Sequence, residues 1–119
     1  EFCTSNAVSI AQSKVQSECI PLAIYDGETP VGFLMYCVDR DDGEWWIYRL
    51  MVDARFQGRG CGTAALALVL ERMRADATRS RVFLGVHRQA AAAVALYERA
   101  GFRFTGQVFG AEHIMRLDW

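Results

Sequence analysis

The chain has 119 residues, 52% of them hydrophobic and 23% charged, which suits one compact domain with its own core, spanning residues 1–119. Its formal net charge of -1 holds no basic excess, so a general nucleic-acid footprint is excluded. No apolar run approaches the ~20 residues of a membrane span, and no secretory leader is visible.

Cys3, Cys19, Cys37 and Cys61 form no CxxC pair and lie far in sequence from His87 and His113, so no metal site is expected. The apolar neighbours of Cys37 and the glycines around Cys61 suit reduced thiols, and a cytoplasmic chain with them.

Taken in order, Ser5 to Gln16 reads as a helix, with Ser5 or Asn6 to cap it and Val8, Ala11 and Val15 on one face. Leu22 to Asp26 is a strand, followed by a turn that opens at Asp26-Gly27 and runs through Pro30. Val31 to Val38 is a second strand. The polar loop Asp39 to Gly43 leads into a third, Glu44 to Asp53, which carries Trp45, Trp46 and Tyr48. Helical spacing of Leu66, Val69, Leu70 and Met73 then predicts a helix from about Gly60 to Ala75. Arg81 to Val86 is a short apolar strand. A second helix covers Ala91 to Ala100 and stops at Gly101, and Phe102 to Phe109 and His113 to Leu117 form a last pair of strands. The order α-β-β-β-α-β-α-β-β predicts an α/β (α+β) fold, a mixed sheet with crossover helices.

The passage from the third strand into its helix concentrates the chemistry. Gly58, Gly60 and Gly62 leave backbone amides uncovered where a helix begins. A helix start has N–H groups without partners and a partial positive charge, which suits a diphosphate. Arg55 and Arg59 add charge. A Walker A loop is excluded because no lysine is present, and a dinucleotide fingerprint because Thr63 stands where its third glycine is needed. A glycine-rich turn that merely closes a strand–helix corner is the plainer alternative. A second feature is Tyr97, one turn before the end of its helix, where a phenol can give a proton to a leaving thiolate; an ordinary amphipathic core residue is the alternative.

Together, Gln57-Gly58-Arg59-Gly60-Cys61-Gly62 and Leu96-Tyr97-Glu98-Arg99-Ala100-Gly101-Phe102 resemble the GNAT acetyltransferases, whose loop reads Gln/Arg-x-x-Gly-x-Gly/Ala and whose last helix commonly reads Leu-Tyr-x-x-x-Gly-Phe. More narrowly, Pro21 to Tyr25, Val31 to Tyr36 and Ile47 to Asp53 look like bacterial spermine/spermidine acetyltransferases. The resemblance implies a mostly antiparallel sheet flanked by helices, N-terminally shortened, because the family's first strand and helix have no counterpart. It implies acetyl-CoA as cosubstrate, held by Gln57, Gly58, Arg59, Gly60, Cys61, Gly62 and Thr63. Backbone N–H groups near Met51 and Val52 would polarise the acyl oxygen, Tyr97 would be the general acid, and a small primary amine the acceptor.

Two positions depart from the family pattern. Ala90 stands where many relatives carry an asparagine, and Tyr48 where some carry a glutamate base. Glu44 is the nearest acid on that strand, and alternation puts it on the face of Tyr48, although a solvated strand end is its plainer reading. The acidic loop of Asp39, Asp41, Asp42 and Glu44 suits a polycation, with a solvated turn as the alternative. The missing first elements would leave Leu22 to Asp26 as an open edge, so a homodimer covering it is expected, with the N-terminal helix as the competing cover. A non-catalytic CoA-binding or interaction module is the rival function.

Overall fold

The computed structural model describes residues 8–12 and 19–119. Among the described residues, seven strands form one sheet in the order β1-β2-β3-β4-β5-β7-β6. Strands β1 (Val8–Gln12), β2 (Cys19–Asp26), β3 (Thr29–Val38) and β4 (Trp45–Val52) make an antiparallel meander. A 3₁₀ turn at Ala54–Phe56 leads into α1 (Cys61–Arg74), which crosses over to β5 (Arg81–Val86), parallel to β4. Helix α2 (Ala91–Ala100) then leads into the hairpin of β6 (Arg103–Phe109) and β7 (Glu112–Asp118), with β7 lying beside β5.

The helices form where the sequence places apolar residues three and four apart. In α1, Cys61, Ala65, Val69 and Met73 are all at most 1% exposed. They pack on one face of the sheet, against Leu22, Ile24, Val31, Leu34, Val82, Leu84 and Met115. Each fully buried Leu, Ile or Val stabilises the fold by roughly 1.5–3 kcal/mol. Strand alternation divides the sheet cleanly: in β5, Val82, Leu84 and Val86 are buried against the helices while Arg81, Phe83 and Gly85 face the other way. That second face leaves Phe33, Tyr48 and Met51 exposed. Helix α2 ends at Gly101, whose φ of 109° is left-handed, with the Phe102 N–H donating to the Tyr97 carbonyl at 3.0 Å.

The segment expected to be a helix over Ser5 to Gln16 contains strand β1 instead; the rest of it lies outside the described residues. Val8, Ile10 and Gln12 alternate, and antiparallel pairing with β2, from Val8↔Asp26 to Gln12↔Leu22, gives the backbone partners that a short helix would have to find within itself. This pairing also corrects the expected open edge. Leu22 to Asp26 is covered on one side by β1 and on the other by β3, so the reason for a homodimer at that strand is gone. Among the cysteines, Cys19 and Cys37 pair across β2 and β3 as reduced thiols, whereas Cys61 is held in a disulfide, against the expectation of reduced thiols.

Candidate active site

Strands β4 and β5 pair only at Trp45↔Val82, Trp46↔Phe83 and Ile47↔Leu84. Beyond Ile47 and Leu84 they diverge, so the sheet opens into a gap edged by β4 on one side and by Gly85 and Val86 on the other. The Asp53 N–H donates to the Val31 carbonyl at 2.8 Å, so at the end of β4 the amide of Asp53 faces β3. Alternation then turns the amides of Val52 and Leu50 into the gap and that of Met51 back toward β3. The Gln57 side-chain amide donates to the Val52 carbonyl at 2.9 Å and ties the loop to the strand. Gly32 makes the close approach of β3 possible, since a Cβ there would overlap the Met51 carbonyl oxygen.

On the helix face the gap widens into a cavity of about 630 Å³ between the glycine loop and the start of α2. Gly58 and Gly60 have φ of 79° and 82°, a left-handed backbone that lets the chain fold back on itself before α1. The first backbone bond of the helix runs from the Ala64 N–H to the Gly60 carbonyl, so the amides of Gly62 and Thr63 come before the intrahelical ladder and face the cavity end. Gly62 lines the cavity, and a Cβ there would only touch Leu96 and Val52 at 3.5 and 3.6 Å. Arg55 and Arg59 stack over the Phe56 ring at 5.5 and 5.4 Å. Arg55 also binds Asp53 at 3.1 Å and holds that carboxyl below its usual range, which commits it locally. Ala90 lines the same cavity as the N-cap of α2, with no side-chain cap bond.

Tyr97 is buried on the helix face, with its ring edge-on to Phe102 at 5.8 Å. Burial pushes its phenol pKa up, and the charge of Glu112 adds to the effect. The phenol therefore keeps its proton at neutral pH.

On the opposite face lies a second cavity of about 410 Å³, lined by Asp39, Asp41, Asp42, Trp46, Tyr48, Phe109 and Glu112, with Gly85 at the gap. No lysine or arginine is among its lining residues. Its floor is an aromatic row in which Trp46 stacks on Tyr48 at 6.3 Å and on Phe83 at 5.1 Å. The polar tips of that row hold the acidic loop: the Tyr48 hydroxyl donates to Asp39 Oδ2 at 3.1 Å and the Trp46 Nε1–H to Asp42 Oδ2 at 2.9 Å. The second oxygens take the N–H groups of Asp41 and Glu44 at 2.7 and 2.9 Å, which fixes the loop. Burial, followed by Cys37 and Asp39, raises the Tyr48 pKa as well, so it too remains a donor.

Among the residues singled out from sequence, Val52, Gln57, Gly58, Gly60, Cys61, Gly62 and Thr63 line the helix-face cavity. Arg59 stands beside it over Phe56, while Met51 exposes its side chain on the far face. Glu44 pairs with Arg81 at 3.2 Å and does not line the acidic cavity. Sequence reasoning missed Glu112 and Gly85. A glycine inside a strand pattern signals a close approach, and Gly85 is that signal: a Cβ there would stand 3.0 Å from Glu112 Oε1.

The chain is similar to known proteins in sequence and in fold. The chain is 28% identical over 121 residues to a spermine/spermidine N(1)-acetyltransferase of Bacillus subtilis, covering 96% of this chain and 80% of the relative. The fold matches a PaiA N-acetyltransferase from Thermoplasma acidophilum solved with coenzyme A, at a TM-score of 0.71 and 20% identity over 86% of this chain; the chain spans 62% of that protein. It also matches a GNAT family acetyltransferase from Elizabethkingia anophelis with acetyl-CoA bound, at a TM-score of 0.79 and 13% identity, covering 96% of this chain and 99% of the other. Residues 4–102 match the acetyltransferase (GNAT) family, and with most of its length inside that match the chain belongs to the family.

Proposed function

We propose that the chain transfers the acetyl group of acetyl-CoA to a small primary amine, with a polyamine as the acceptor the site fits best. The observation that carries this reading is the gap between β4 and β5. It has a glycine loop at a helix start on its helix-face end and an acidic, aromatic cavity on the other face. The residues suit the cosubstrate. Amides at Gly62 and Thr63, the positive end of α1 and Arg59 meet the diphosphate, and the free edge of β4 offers Leu50 and Val52 to the pantetheine amides and the thioester oxygen. Tyr97, protonated and buried, gives its proton to the departing thiolate.

The acceptor arrives as an ammonium. Asp39, Asp41, Asp42 and Glu112 oppose its charges, and Trp46 and Tyr48 offer aromatic faces for its methylenes and cations. The polyamine acetyltransferase among the relatives supports the same acceptor class. A thiol-release assay with acetyl-CoA over a panel of mono-, di- and triamines tests the reading. CoA release is expected to be fastest with the polyamines, and release with none of the amines would refute it.

A further inference from the structure

An amine with a pKa of ~10.4 is less than a hundredth neutral at pH 7, so the reaction needs a group to take its proton. Tyr48 stands on β4 where a carboxylate base would be sought, and Glu44 is engaged by Arg81 away from the cavity. Resting on the acetyl-transfer reading above, we infer that Glu112, reaching in from the start of β7, is the general base for the acceptor amine.

Three observations place it. Gly85 is the first residue of β5 beyond the last β4 pair, and its missing side chain leaves a space on the far face. The Glu112 carboxylate occupies that space, with Oε1 at 3.0 Å and Cδ at 3.3 Å from where a Gly85 Cβ would stand. Register explains how: Gly85 pairs with Ile114, so Glu112 lies two residues along β7 on the same face, in diagonal contact. Finally, after burial, the Glu112 charge helps to raise the pKa of the Tyr97 phenol. The other titratable groups facing Glu112 are Asp39, Asp41, Asp42 and Tyr48, which line the cavity with it.

The step balances. Glu112 takes one proton from R–NH₃⁺, and the neutral nitrogen bonds to the thioester carbon. The C–S bond breaks with its electron pair on sulfur, which receives the Tyr97 proton. The second proton lost by the nitrogen restores Tyr97, and Glu112 returns its own to solvent.

The test compares Glu112→Gln with the unmodified chain on two acceptors. One is 1,4-diaminobutane, an ammonium at pH 7; the other is methoxyamine, already neutral there. For the diamine, kcat/KM at pH 7 should fall by about 10²- to 10⁴-fold, the usual share of general-base catalysis. The deficit should shrink about tenfold per pH unit as the amine deprotonates itself. For methoxyamine the change should stay within about threefold, and acetyl-CoA affinity should not move, because no proton has to be removed beforehand. Glu112→Asp keeps the charge and should recover most of the rate at pH 7. An equal loss on both amines, or a loss accompanied by weaker acetyl-CoA binding, would overturn the assignment, as would an unchanged rate and pH profile. If the unmodified chain releases no CoA with any amine, the acetyl-transfer reading itself fails, and that arm is read before any variant.

Discussion

On the helix face, the gap between β4 and β5 is served by one continuous stretch, Val52 to Thr63, together with the start of α2. On the far face it is served by four separate pieces: the acidic turn, β4, the end of β5 and the β6–β7 hairpin. The first side is built from backbone, with positive-φ glycines and amides at a helix start. The second is built from side chains, with carboxylates pinned to indole and phenol tips. A backbone cradle suits a ligand part that never varies, such as a diphosphate. A cavity of side chains can be retuned one residue at a time, which suits the acceptor side of the proposed reaction.

If the two sides divide the work in this way, variants on each should fail differently. Tyr97→Phe removes only the leaving-group proton, so turnover should fall by about 10²- to 10⁴-fold while acetyl-CoA affinity holds. Unchanged turnover in steady-state assays would return Tyr97 to a packing role beside Phe102. Its pH signature has a definite sign. The folded pKa is raised, so the neutral phenol is the favoured form in the fold; its stabilising contribution is complete below the unfolded pKa of ~10 and is lost as pH rises through the folded value. No decline in rate from this group is expected below pH 10.

The next effect belongs to the cradle. Gly62→Leu would fill the groove beside Leu96 and Val52, and acetyl-CoA affinity in calorimetry should drop by about 10²-fold, roughly the cost of an overpacked contact. Because Gly62 has an ordinary φ, thermal stability should change little, which separates lost binding from lost fold.

A smaller effect is expected on the acceptor side. Asp39→Asn with Asp42→Asn removes two charges and leaves one of the two acceptor oxygens at each position, so each side chain keeps one of its two hydrogen bonds. At roughly 0.2–1 kcal/mol per exposed charge, KM for a triamine should rise about 2- to 30-fold, with less change for a monoamine and less at high salt. Equal shifts for both amines would mean that the acidic turn only shapes the loop.

The smallest change should come from Ala90→Asn, which adds the missing cap to α2 at the rim of the helix-face cavity. A gain of about 0.5–2 kcal/mol is expected for a good N-cap, visible as a few degrees in Tm.

The same contrast explains what could be read in advance. The placement of the glycine loop before α1 and of Tyr97 near the end of α2 is legible because the signals are local: three glycines at a strand–helix junction, and an aromatic residue at a fixed distance from Gly101. Strand β1 was not, because Val8, Ala11 and Val15 satisfy a helical period and only pairing with β2 decides otherwise. Met51 and Val52 are neighbours in sequence but face opposite edges of β4, a distinction that depends on the Asp53–Val31 bond. Glu112 was hidden because its role depends on the β5–β7 register and on a side chain that Gly85 lacks. The acidic turn was visible as charge, yet the hydrogen bonds to Trp46 and Tyr48 that aim its carboxylates exist only once β4 and the turn are folded together.

The division of labour depends first on whether the glycine loop holds acetyl-CoA, so titration of acetyl-CoA into the unmodified chain by calorimetry is the most direct test. Saturable one-to-one binding is expected, weakened strongly by Gly62→Leu and left unchanged by Glu112→Gln. The absence of binding to the unmodified chain, or binding indifferent to Gly62→Leu, would contradict it.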